Sequence, residues 1–242
     1  MSQPRVLVVE HQSDAGLGLV GERLRAHEVE VVTVGPDVGA EVPGSLAGFD
    51  ALIVLGGSMG PTEDARAPWL PATRKLLAEA VAAELPTLGI CLGAQLLATA
   101  TGGHVRTMPQ GPEVGVHEVR FAEGAAADPL FADLAGAKLP AVQWHWLEAD
   151  RLPAAAQVLA SNGACENQAF RIGERAWGVQ FHPEALAQTA QDWADDGAED
   201  LRGIGLTGEA VVDSVRAAEP ELRAAWSQVA DRFVDLVRSD RA

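Results

Sequence analysis

The 242-residue chain contains no tyrosine, two lysines and two cysteines, and its 18 basic residues face 34 acidic ones. Each shortage excludes something. A net charge of −16 repels phosphate backbones, so nucleic acid is not an expected partner. Two cysteines, Cys91 and Cys165, make no disulfide framework, and neither has a metal-ligand neighbour at the usual spacing. No apolar run reaches the roughly 18 residues of a membrane-spanning helix. The N-terminal residues 1–5 lack the basic region, apolar stretch and cleavage site of a secretory signal. A cytoplasmic protein without membrane contact is expected. The scarcity of lysine beside abundant alanine and arginine reads as compositional bias, not as function.

What is present is an ordinary globular composition, 48% apolar, enough to build a sizeable core. The first half alternates strand and helix signals. Short, β-branched apolar runs at residues 5–10, 29–34, 51–55 and 87–90 read as buried strands. Helical stretches at residues 16–27, 64–84 and 92–101 separate or follow them, with Pro68 and Pro71 in the first turns of the second helix. This repetition predicts a parallel sheet covered by helices. Residues 114–121, 141–146, 157–161, 168–172 and 176–181 read as strands with few helices between them, so the sheet is expected to be mixed. Beyond Glu184 the chain becomes helical, acidic and alanine-rich, with breaks expected at Gly197, at residues 203–208 and at Pro220. In residues 221–237, Leu222, Ala225, Trp226, Val229, Phe233 and Leu236 share one helical face. That face is expected to pack on the main domain. The organisation is an α/β domain at residues 1–190 and a C-terminal helical extension at 191–242 packed on it.

The strongest chemical signal is Gly89-Ile90-Cys91-Leu92-Gly93-Ala94-Gln95, at a strand–helix joint. A nucleophile on such a turn needs small neighbours, and glycines two residues before and after Cys91 supply them. The turn lifts the sulfur above the carboxyl end of the sheet, where open α/β sheets bind ligands. The helix behind it offers unpaired N–H groups and a positive dipole end that favour thiolate, and the Leu92 amide can face an oxyanion. The competing reading is a buried cysteine between close-packed glycines. Cys165 has no such glycines and no nearby histidine, and is taken as structural.

A second signal is Gly178-Val179-Gln180-Phe181-His182-Pro183-Glu184. Residues two apart in an extended segment point the same way, so His182 and Glu184 can align while Pro183 stiffens the backbone between them. The carboxylate can then orient the ring and support the imidazolium. A satisfied surface histidine is the alternative. The third signal, Leu55-Gly56-Gly57-Ser58-Met59-Gly60, follows a strand. It is a plain glycine turn or, with the Gly57 amide, a second oxyanion donor.

Together and in this order, the three motifs resemble those of the class I (triad-type) glutamine amidotransferases. The likeness runs over about residues 5–184 and is closest to stand-alone domains similar to the glutaminase half of GMP synthetase. The resemblance implies a flavodoxin-like fold and a Cys91–His182–Glu184 triad with an oxyanion hole from Gly57 and Leu92. It implies that Gln95 helps bind the amino-acid end of the substrate. The segment Gln143-Trp144-His145-Trp146-Leu147 matches a family loop whose backbone grips the glutamine α-groups, which brings in Trp146 and Leu147. The sequence departs from the family where Trp146 stands, a place where Gly or Ser is common, and an indole there reshapes the pocket. Trp144 and Trp146 also read as alternating positions of a strand, one of them in the core. No metal or organic cofactor is implied.

Three functions follow. The chain releases ammonia from glutamine for a separate synthetase, since no acceptor domain fits in the residues after Glu184. Alternatively, it is an independent γ-glutamyl amide or peptide hydrolase, which suits the altered position 146. In a reading of another class, it binds glutamine or a partner with little turnover. A homodimer stays open.

Overall fold

In the computed structural model, which describes residues 3–239, strand β1 (Arg5–Val9) sends alternate side chains into two different cores. Val6 and Val8 enter one, and Leu7 and Val9 the other. A strand buried on both faces must be apolar throughout, which is why this run reads as continuous Val and Leu. There follow α1 (Gly18–Ala26), β2 (Glu30–Val34), β3 (Ala51–Val54), α2 (Leu70–Ala82), β4 (Thr87–Ile90), α3 (Leu92–Ala100), β5 (His104–Thr107) and β6 (Glu113–Phe121). Then come β7 (Lys138–His145), β8 (Leu147–Arg151), β9 (Ala156–Ser161), β10 (Ala169–Ile172), β11 (Ala176–Val179), α4 (Ala187–Asp196), α5 (Ala198–Gly203) and α6 (Gly208–Ser239).

Nine strands form one mixed sheet in the order β2-β1-β3-β4-β11-β10-β9-β6-β7. The pairs from β2 through β11 are parallel. Those from β11 onward are antiparallel. Helices α2 and α3 cover one face, while α1, α4 and α6 cover the other. The register fixes the site. Val54 stands beside Gly89, and Ile90 beside Val179. The segments following β3, β4 and β11 therefore leave the sheet at adjacent carboxyl ends, and these segments carry the glycine loop, Cys91 and His182. One more main-chain link reaches this rim: the His182 amide donates to the Val142 carbonyl of β7 at 2.8 Å.

Four local expectations are corrected. The second helix begins at Leu70, not residue 64, so Pro71 lies in its first turn while Pro68 lies in the irregular segment before it. Strands β5 and β8, which pair as a separate two-stranded sheet, are additional; the exposed, polar run of β5 carries no alternation that marks a strand. Pro220 does not break the last helix, which runs unbroken from Gly208 to Ser239. A proline inside a helix costs about 3 kcal/mol. Eleven buried residues of α6, from Val211 to Val237, lie on both sides of it, and burying a large apolar side chain contributes roughly 1.5–3 kcal/mol. Packing wins. The buried face takes in Val234 and Val237 and leaves Leu236 only partly covered. Trp226, 1% exposed, anchors it: the ring lies 4.7 Å from Phe181, and its Nε1 donates to the Pro140 carbonyl. Finally, neither Trp144 nor Trp146 is in the core. Trp144 lies in β7, Trp146 in the bend after it, and both are half-buried.

Candidate active site

Cys91 occupies the turn between β4 and α3 with φ 50° and ψ −104°, a backbone region costly for any residue with a side chain. Such a turn survives only if its surroundings hold it, and the two flanking glycines let them close in. A Cβ on Gly93 would lie 2.0 Å from the Val54 carbonyl oxygen, and one on Gly89 would lie 2.6 Å from the Gly93 carbonyl. Helix α3 thus packs backbone-to-backbone against β3 and β4. The Cys91 amide donates to the Val179 carbonyl at 2.8 Å, which ties the elbow to the strand that carries the histidine.

His182 and Glu184 are 3% and 2% exposed, and His182 Nδ1 donates to Glu184 Oε1 at 2.7 Å. The opposite ring nitrogen, Nε2, has no hydrogen-bond partner among the described residues. Burial disfavours the imidazolium, but the Glu184 carboxylate and the Cys91 sulfur outweigh it and raise the pKa of His182. The three residues expected to act together are thus brought together.

The Gly57 and Leu92 amides have no intramolecular acceptor among the described residues. The neighbouring Ser58 amide does: it donates to Gln12 Oε1 at 2.7 Å, which fixes the glycine loop. Behind that loop His11 is 2% exposed, its Nδ1 accepts from Trp69 Nε1 at 2.9 Å, and burial lowers its pKa to about 4. It is a neutral prop.

Gln95 lines the site, and its amide is already engaged, donating to the Leu147 carbonyl at 3.2 Å and to Gln180 Oε1 at 3.3 Å. Gln180 in turn places its Nε2 3.6 Å from the Cys91 sulfur. The carbonyls of Trp146 and Leu147 accept from the Met108 amide and from His145 Nδ1. His145 Nε2 also lies 3.2 Å from the buried Glu113 carboxylate. The bend carrying Trp146 is therefore held from beneath by polar contacts.

These groups floor a cleft of about 610 Å³. One wall is Trp144, Trp146 and Leu147; another is Gln12, Asp14 and the glycine loop. The third comes from the C-terminal segment: Trp193, Asp196, Gly197 and Asp200. Sequence reasoning missed Gln180, although the same two-residue alternation that pairs His182 with Glu184 also includes it. It missed Gln12 and Trp193 as well, which stand in no motif. Cys165 is fully buried away from the cleft, and burial pushes its thiol up to about 12, as expected of a structural cysteine. Among the described residues, no group of three His, Cys, Asp or Glu side chains is arranged to hold a metal ion. No helix among them is long and apolar enough to cross a membrane.

The chain is 30% identical to the glutamine amidotransferase-like protein YfeJ of Salmonella typhimurium over 166 residues, 67% of this chain and 68% of that one. It is 38% identical to the glutamine-hydrolysing GMP synthase of Symbiobacterium thermophilum over 144 residues, 57% of this chain but a 25% share of that one. The crystal structure of a glutamine amidotransferase from Thermotoga maritima superposes with a TM-score of 0.86 at 27% identity, covering 97% of this chain and 100% of the other. The family profile described as glutamine amidotransferase class-I matches residues 17–197, a span that contains the glycine loop, the cysteine elbow and the histidine–glutamate pair. The chain belongs to the class I glutamine amidotransferases.

Proposed function

We propose that the chain hydrolyses the side-chain amide of glutamine and of γ-glutamyl compounds, with Cys91 as nucleophile, His182 as acid and base, and Glu184 orienting the ring. The observation that carries this reading is a buried imidazole tied to a carboxylate through Nδ1, its other nitrogen unpartnered and Cys91 beside it. The thiolate adds to the amide carbon, and the oxyanion is held by the Gly57 and Leu92 amides. The C–N bond then breaks as His182 gives its proton to the departing ammonia or amine, leaving a thioester. His182 next takes a proton from water, the hydroxyl adds to the thioester, and glutamate leaves as the C–S bond breaks. Gln95, Trp146 and Leu147 shape the floor against which the glutamyl part sits. We place this chemistry in the cytoplasm, where a free thiol stays reduced.

Two destinations for the nitrogen are compatible with this site. Kinship with GMP synthase favours passage of ammonia to a separate synthetase. The breadth of the cleft, and its roofing by the chain's own residues 193–200, favour independent hydrolysis of substituted γ-glutamyl amides. We assign residues 1–190 to the amidotransferase domain and 191–242 to an extension that completes its cleft. Purified protein is expected to release glutamate from glutamine or a γ-glutamyl amide, and Cys91→Ala to abolish release while its circular dichroism is unchanged. Unaltered turnover by that variant would refute the mechanism.

A further inference from the structure

We propose that the cleft selects γ-glutamyl amides whose nitrogen carries a cationic arm, an inference that rests on the hydrolysis proposed above and names its substrate class. The charged side chains that line the cleft, the histidines aside, are Asp14, Asp196 and Asp200, and no lysine or arginine among the described residues lines it. The chain is acidic everywhere, so an acidic wall alone would mean little. Here, however, the wall stands over a buried histidine nitrogen with no hydrogen-bond partner among the described residues, and no lysine or arginine among those described lines the cleft to neutralise the wall. Asp196 and Asp200 are exposed and form no ion pair among the described residues. Arg66 touches Ser58 from outside the cleft but is paired with Glu63.

The aromatic lining points the same way. Trp144 and Trp193 meet across two walls with ring centroids 5.5 Å apart and planes inclined by 56°, and Trp146 lines the same cleft. Indole faces attract ammonium groups, and they do so more strongly where water is partly excluded. A volume of about 610 Å³ leaves room for an arm beyond the glutamyl group. Such an arm passes the tryptophans and ends near the two aspartates. An anionic arm would meet three carboxylates with no lysine or arginine among the described residues lining the cleft to offset them.

The test uses γ-glutamyl amides of trimethylenediamine, butylamine and β-alanine, which carry a cationic, neutral and anionic arm of similar length. Glutamate release is expected to give a kcat/KM for the cationic compound roughly 10-fold or more above the anionic one, with the neutral one between. In the Asp196→Asn/Asp200→Asn protein that ratio should shrink to about 3-fold or less. Added salt should shrink it in the wild type. Equal rates for all three, or hydrolysis of glutamine alone, would overturn the selectivity and leave the cysteine chemistry standing. Turnover of none of them, glutamine included, would sink the chemistry. Calorimetric binding of the three amides to Cys91→Ala then decides selectivity by itself: tighter binding of the cationic compound supports it, and no preference overturns it.

Discussion

The indole of Trp193 stands edge-on to the imidazole of His182, ring centroids 4.6 Å apart, and its Nε1 donates to the Asp14 carbonyl at 3.0 Å. Glu184 holds the imidazole through one nitrogen and Trp193 confines it from the side, so a helix beyond the histidine motif helps to position the ring. Trp193→Ala should cost about 3–5 kcal/mol of stability, as large-to-small changes at buried aromatics do. Trp193→Phe should keep most of that stability and lose less than about 10-fold in kcat/KM. Urea melts beside steady-state kinetics measure both, and equal activity losses in the two variants would deny the ring its role.

Removing the carboxylate tests the electrostatics. Glu184→Gln is expected to lower kcat/KM on the order of 10²-fold or more. Because Glu184 helps to raise the pKa of His182, the alkaline limb of the pH–rate profile should move to lower pH in the variant. A limb that stays in place would show that the carboxylate does not act on the ring.

The elbow is expected to tolerate no added carbon. In Gly93→Ala the new Cβ meets the Val54 carbonyl oxygen, and in Gly89→Ala it meets the Gly93 carbonyl. Neither obstacle is a flexible side chain, so each change should destabilise by about 3 kcal/mol. Denaturant midpoints, compared with an alanine change at the exposed Gly163, measure the difference; near-wild-type midpoints would mean that the helix slides to make room.

His11 gives a pH dependence of stability. Its pKa falls from 6.5 to about 4 on burial, so the unfolded chain takes up its proton first as the solution acidifies. The stability linked to the neutral ring is complete above pH 6.5 and drains away as the pH falls toward 4, by at most about 3 kcal/mol. Melting temperatures between pH 7 and pH 4.5 should fall more steeply for the wild type than for His11→Gln. Parallel slopes would contradict a buried neutral imidazole at this position.

The parallel half of the sheet was readable because its inner strands are buried on both faces and stopped by glycine, as Ala51–Val54 is by Gly56 and Gly57. The meeting of Cys91, His182 and Glu184 was readable because each sits in a local motif whose spacing states its geometry. The two-stranded β5–β8 sheet was not, since His104–Thr107 is exposed and polar and gains its shape from a partner some forty residues away. Pro220 misled for a related reason: a local breaking tendency yields to burial along the whole of α6, which no local window weighs. Trp193, Gln12 and the aspartates of the rim escaped notice because their roles come from tertiary placement alone. Gln180 was within reach, since its spacing from His182 repeats that of Glu184.

The hydrogen bond from the His182 amide to the Val142 carbonyl has a mechanical consequence. Val142 lies two residues before Trp144 on the same strand, so the segment that carries His182 is tied to the strand that carries one of the indoles. A ligand that seats against the Trp144 indole therefore meets an imidazole whose backbone is anchored to the same strand.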